Sequence, residues 1–187
     1  MEFIKELTIL ENTLTRKEEF ITTLGNSTVL LTALDTLDIY NPDGTIVVAT
    51  RFLKAINRYV AAYTDSSYFI KLRNPANDNL QDLTSYIEDN YLKLILDINA
   101  PKSACQNIRI VTLTNVDKTI LNELTEAFQE HNLPNVDTLN CPTTTMSVDV
   151  IKIELPEEYR DIENPQTLEK VCEALVDFIK MYINITD

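Results

Sequence analysis

The sequence predicts an α/β (or α+β) protein: a small, mainly parallel sheet of about three strands with flanking helices, preceded by a more helical N-terminal layer and a candidate β-hairpin. Three observations predict it. Apolar runs of strand length lie near residues 68, 108 and 148. Segments with helical periodicity lie between and after them. The intervals, roughly forty residues, leave room for right-handed crossovers between parallel strands. One domain, 1–187, is the default at this length, with 1–65 as the helical layer and 66–187 as the alternating part.

Residues 2–24 read as a helix. Phe3, Leu7, Leu10, Leu14, Ile21 and Leu24 recur at alternating steps of four and three, a heptad seam in which Lys17 is the polar break. Threonines at 8, 13, 15, 22 and 23 weaken its propensity, so it needs a partner surface, in its own domain or on another subunit. Within 26–49, Tyr40-Asn41-Pro42-Asp43-Gly44-Thr45 is a tight-turn signal, which makes 37–40 and 45–49 the strands of a hairpin. A helix starting near Asp43 competes with it. Residues 50–63 are helical, with Phe52, Ile56, Tyr59 or Val60, and Tyr63 on the apolar face, and Arg51, Lys54 and Arg58 close together.

Ser67 to Leu72 is a short strand, ended by Asn74-Pro75. Asp78 or Asn79 caps a helix predicted to run to about Asp97, with the stripe Leu80, Leu83, Ile87, Tyr91, Leu94 and Ile95, stopped by Asn99-Ala100-Pro101. Ile108 to Leu113 is a buried strand feeding a helix. Thr114 is its expected cap, with Asp117 three residues on. Val116, Ile120, Leu121, Leu124, Ala127 and Phe128 form its stripe, Asn132 takes the left-handed cap and Pro134 blocks continuation. A polar stretch, 132–145, leads to a strand from Met146 to Leu155 whose alternation changes phase between Val150 and Ile151, through a bulge or burial on both faces. Asn164-Pro165 opens the last helix, which runs to about Ile183.

Composition narrows the function. Only 2 glycines are present, Gly25 and Gly44, so no phosphate-cradling loop of the Walker or Rossmann type can be built. Net charge is −13, which repels duplex nucleic acid overall. The charge is uneven: the 51–73 stretch is basic and the stretch from Asp149 onward is acidic. No apolar run reaches the roughly 20 residues of a membrane span. The N-terminus has no basic start or apolar centre of a secretion signal, so the cytoplasm, or a virion made there, is the expected location. Three cysteines far apart read as reduced thiols.

One histidine leaves no zinc pattern and no expected cofactor. Cys105 or Cys141 with His131 is the conceivable thiol–imidazole pair, but a helix of roughly 24 Å, at 1.5 Å per residue, separates Cys105 from His131. A buried thiol and a dipole-compensating histidine are the preferred readings. The acidic stretch Glu157, Glu158, Asp161 and Glu163 lacks the alternation and central glycine of a calcium loop. Asp149 with Lys152 lacks the acid-x-lysine spacing of a metal-dependent nuclease. The basic, aromatic 51–73 segment reads as a helix with a charged outer face rather than a single-strand binding surface.

These observations make a non-enzymatic assembly subunit the expected function, working through protein–protein contacts and self-association into a ring, as in viral connector or tail components. The interaction residues expected are Arg51, Lys54 and Arg58 on one side, Glu157, Glu158 and Asp161 on the other, and Phe3, Leu7, Leu10 and Leu14 on the first helix. The alternative is a monomeric acidic binding module or inhibitor of a basic partner, such as a nucleic-acid-binding one. An enzyme with a site of dispersed carboxylates or a cysteine is the third reading. Neither a membrane nor direct nucleic-acid binding is expected.

Overall fold

The computed structural model describes residues 2–12, 20–33, 39–40, 46–47, 52–71, 80–101, 105–144 and 146–186. In chain order these form α1 (Glu2–Asn12), β1 (Phe20–Thr23), β2 (Val29–Ala33), β3 (Ile39–Tyr40), β4 (Ile46–Val47), α2 (Leu53–Thr64), β5 (Ser67–Lys71), α3 (Leu80–Asp89) and β6 (Leu94–Asn99). There follow β7 (Ile108–Thr112), α4 (Lys118–Glu130), β8 (Val136–Asn140), β9 (Asp149–Glu154), a 3₁₀ turn (Glu157–Tyr159) and α5 (Pro165–Thr186).

Seven strands make one sheet in the order β1-β5-β2-β6-β9-β7-β8. The four strands β5, β2, β6 and β9 run parallel. β1 is antiparallel to β5, and β7 reverses against β9 and carries β8 parallel to itself. The expected sheet of about three mainly parallel strands is therefore replaced by a mixed sheet of seven, although α/β as a class still describes it.

Three physical reasons account for the strands that were missed. β2, Val-Leu-Leu-Thr-Ala, and β6, Leu-Ile-Leu-Asp-Ile-Asn, are buried at every position. Strands covered on both faces read as continuous apolar runs with no alternation to detect. In β6 the spacing from Leu83 through Ile87 and Tyr91 to Leu94 imitated a longer helix. The helix instead ends at Asp89, and Tyr91 adopts φ 53°, turning the chain into the strand. β8 is polar and exposed along most of its length because it is a sheet edge. Likewise α1 stops at Asn12, and Phe20–Thr23, expected to be helical, is the opposite edge strand.

Other expectations meet their geometry. β3 pairs antiparallel with β4, Ile39 opposite Val47 and Tyr40 opposite Ile46, as a hairpin requires; its turn lies outside the described residues. Asn132 is left-handed at φ 59° behind α4. The cap of that helix is Asp117 rather than Thr114: its carboxylate accepts from Thr119 N at 2.7 Å. The Thr114 hydroxyl instead accepts from Val150 N at 2.8 Å, tying the turn to β9. The phase change in β9 reflects burial on both faces: Val150 packs with α3 and Ile151 with the opposite layer.

The sheet divides two unequal layers. One face carries α1, α2, α4 and α5 over Val29, Leu31, Leu94, Leu96, Ile98, Ile151 and Ile153. The other carries α3, whose Leu83 and Ile87 cover Leu30, Ile95 and Val150. Gly25 lies where two turns meet at the foot of β2. A Cβ there would stand 2.2 Å from the Asp65 carbonyl oxygen, a backbone atom held by Ser27 N at 3.0 Å. Gly25→Ala should therefore cost about 1–3 kcal/mol of stability, seen as a lower urea midpoint; an unchanged midpoint would contradict that packing.

Asp149 opens β9 in a half-buried position. Burial, and then the nearby Asp117 charge, raise its carboxyl above the ordinary aspartate range. A raised acid binds its proton more tightly folded than unfolded, so ionised Asp149 subtracts stability at neutral pH, and that stability returns as pH falls through its folded pKa. Asp149→Asn should raise the urea midpoint at neutral pH, with the gain shrinking in acid. Equal midpoints at neutral pH would refute the assignment.

Candidate active site at the carboxyl ends of the central strands

Between β2 and β6 the connections diverge. β2 leads through α2 to β5 on one side, and β5 returns through α3 to β6 on the other. In open parallel sheets such a switch point leaves a crevice at the strands' carboxyl ends, where ligands bind.

At this end of the sheet the sequence changes character. On the face packed by α3, Leu30, Ile95 and Val150 form an apolar row. Two residues on, the same face of the same strands carries Thr32, Asp97 and Lys152, neighbours in register. One further pleat brings Asn99, Glu154 and, from the reversed strand β7, Arg109 into a second row. Six polar side chains thus form a floor of two rows at the carboxyl ends of the central strands, with Thr32, Asp97 and Asn99 buried.

The floor is bonded internally. Thr32 Oγ1 donates to Asp97 Oδ1 at 2.8 Å, both residues buried. Glu154 faces a cation on each carboxylate oxygen: Lys152 Nζ at 3.3 Å from Oε1 and Arg109 Nη1 at 3.7 Å from Oε2. Lys152 and Glu154 are 14% and 13% exposed and Arg109 is 29% exposed, so the carboxylate sits just beneath the surface with its cations beside it. Both ion pairs are longer than the 2.7–2.9 Å typical of a charge-assisted hydrogen bond. In such an arrangement a carboxylate can accept a proton from water while the neighbouring cations stabilise a developing oxyanion.

Sequence reasoning did not assemble this site. Lys152 was considered only with Asp149, and the two point to opposite faces of β9. The helical spacing makes Asp97 the expected end of a helix. The usable signal is a charged residue inside an apolar run, Leu-Ile-Leu-Asp-Ile-Asn, which a buried strand tolerates only where the charge finds a polar partner.

The residues expected to mediate assembly are placed as follows. Phe3 and Leu7 are buried in the core, with Phe3 edge-on to Tyr59 at 5.2 Å, and Leu10 packs against that core. Lys54 is buried, and Arg58 Nη1 donates to the Leu10 carbonyl at 2.6 Å. Glu157 and Glu158 are exposed on the 3₁₀ turn, and Asp161 Oδ1 accepts from Glu163 N at 2.9 Å. Leu14 and Arg51 lie outside the described residues. Cys105 stands before β7 on the site's face, whereas His131 is clamped on the opposite layer between Asp177, 2.9 Å from Nε2, and Glu173, 3.4 Å from Nδ1. The Cys172 thiol is wholly buried and pushed far up by desolvation, so it is inert.

The fold has solved counterparts. No family model matches the chain, and no curated protein matches it in sequence. N-acetylmuramoyl-L-alanine amidase AmiC2 of Nostoc punctiforme superposes with a TM-score of 0.56 at 13% identity, over 86% of this chain and 99% of that one. Gene product Atu2144 from Agrobacterium tumefaciens gives 0.62 at 10% identity, over 92% and 96%. YNDL, solved in an apo, zinc-free form, gives 0.52 at 15% identity, over 91% and 94%. At these identities the likeness establishes the fold. It overturns the expectation of a non-enzymatic, ring-forming virion subunit, because the seven-stranded sheet is one on which amidase catalytic domains are built.

Proposed function

We propose that the chain hydrolyses an amide bond of the N-acetylmuramoyl-L-alanine type in the crevice above the polar floor. The observation that carries this reading is the ordered pair of polar rows, Thr32-Asp97-Lys152 and Asn99-Glu154-Arg109, at the topological switch point. The amidase AmiC2 supplies the substrate class by analogy of fold.

Zinc, named for YNDL, does not fit this floor. A zinc site draws on histidine, cysteine and carboxylate donors that are free to converge. Here Asp97 accepts from Thr32, Glu154 is neutralised by Lys152 and Arg109, and His131 is on the other face. Among the described residues no three such side chains gather. The chain's own cations take the electrostatic role.

In the proposed reaction the substrate carbonyl oxygen draws Lys152, with Arg109 beside it, away from Glu154. The released carboxylate takes a proton from a water molecule. That water's oxygen bonds to the carbonyl carbon, and the negative charge on the carbonyl oxygen is met by the two cations. Collapse breaks the C–N bond, and the proton on Glu154 passes to the departing amine. The products are the acid and the free amine. Thr32 and Asp97 are positioning residues that hold the neighbouring row of the floor.

The experiment is to incubate the purified protein with N-acetylmuramoyl-L-alanyl peptides and to quantify the alanine amino-termini released. Lys152→Met should lower kcat by about 10²–10³-fold, the usual loss when an oxyanion stabiliser is removed. Turnover unaffected by that substitution would overturn the assigned role.

A further inference from the structure

Because β7 and β8 run against β9, their amino-terminal ends lie at the same edge of the sheet as the carboxyl ends of the central strands. The outer polar row therefore continues past Arg109. Asp137 of β8 is the in-register neighbour of Arg109, so one line crosses four strands: Asn99, Glu154, Arg109, Asp137. Beyond Glu154 the line opens into a groove of about 470 Å³ lined by Cys105, Gln106, Asn107, Arg109 and Asp137.

The groove is held in shape at one point. Asn107 Nδ2 donates to both Asp137 oxygens, at 3.2 and 3.1 Å. This fixes the carboxylate while leaving its remaining lone pairs directed outward. Arg109 reaches Glu154 only at 3.7 Å, so most of its guanidinium fork is available to a second carboxylate. A cation and a held anion on adjacent strands, flanked by the amides of Gln106 and Asn107, are complementary to a ligand carrying both charges on one residue.

We propose that this groove binds the peptide portion of the substrate, and selects an amino-acid residue that bears a free carboxylate for Arg109 and a free amine for Asp137. The proposal deepens the amide-hydrolase reading and rests on it for the identity of the ligand as a peptide.

Calorimetric titration of the wild-type protein with three probes tests it: N-acetyl-alanyl-lysine, its carboxamide, and its Nε-acetyl derivative. The unblocked peptide should bind about 10–100-fold more tightly than either blocked form, as expected for losing one charged hydrogen-bond partner. Arg109→Gln should erase the preference for the free carboxylate and keep that for the free amine. Asp137→Asn should do the reverse. Equal affinity for the three peptides, absence of binding, or variants that leave both preferences intact would overturn the proposal. Equal affinities together with Glu154-dependent turnover would refute the groove alone. Discriminating binding without turnover would refute the hydrolase alone.

Discussion

Replacing Glu154 by glutamine is expected to lower amide turnover by about 10²–10⁴-fold, the contribution of a positioned general base. Glutamine keeps the shape and one acceptor oxygen, so what is lost is the capacity to take a proton. The substitution also leaves Lys152 and Arg109 facing a neutral group at a position only 13% exposed. Two consequences follow, and they separate chemistry from folding. Circular dichroism of Glu154→Gln should match the wild type at moderate temperature, because the six-residue floor is a small part of the sheet. Its kcat should fall with little change in KM, because the carboxylate acts on water rather than gripping the substrate. A variant that folds and turns over normally would remove Glu154 from the mechanism.

Phe178→Ala is expected to cost about 3–5 kcal/mol, the usual loss for deleting a buried phenylalanine. Phe178 is 1% exposed on α5, in the same core cluster as fully buried Phe128 of α4. That cluster glues the helical layer to Leu94, Leu96, Ile98, Ile151 and Ile153, the central strands that also present the floor on their other face. α5 itself lies opposite the crevice. The urea midpoint should therefore fall sharply, while turnover at low temperature and without denaturant should stay near the wild-type value. A midpoint within experimental error of wild type would mean that α5 does not anchor the sheet.

The helices announced themselves in the sequence through periodicity, and the strands only where they alternate or stand alone. α4 and α5 were legible because one face of each is apolar and the ends carry Asn132 and Asn164-Pro165. β2 and β6 were not, because strands sandwiched between helices have no polar face to mark the period. β8 failed for the opposite reason: an exposed edge strand looks like a loop. Missing β2 and β6 also hid the site. Its residues come from four strands separated by up to more than a hundred positions, from Thr32 to Glu154, and only the register of the sheet puts them side by side. The basic island misled through a related limit. Composition cannot tell a surface lysine from Lys54, which is buried, or an exposed arginine from Arg58, which is committed to the carbonyl of Leu10.

The most direct test of the account is the rate at which exhaustively chelated protein frees alanine amino-termini from N-acetylmuramoyl-L-alanyl peptides, measured beside Glu154→Gln in the same buffer. The account predicts steady release by the wild type, unchanged when zinc is added back, and release at the background rate by the variant. No release by the wild type, or equal release by both proteins, would contradict it.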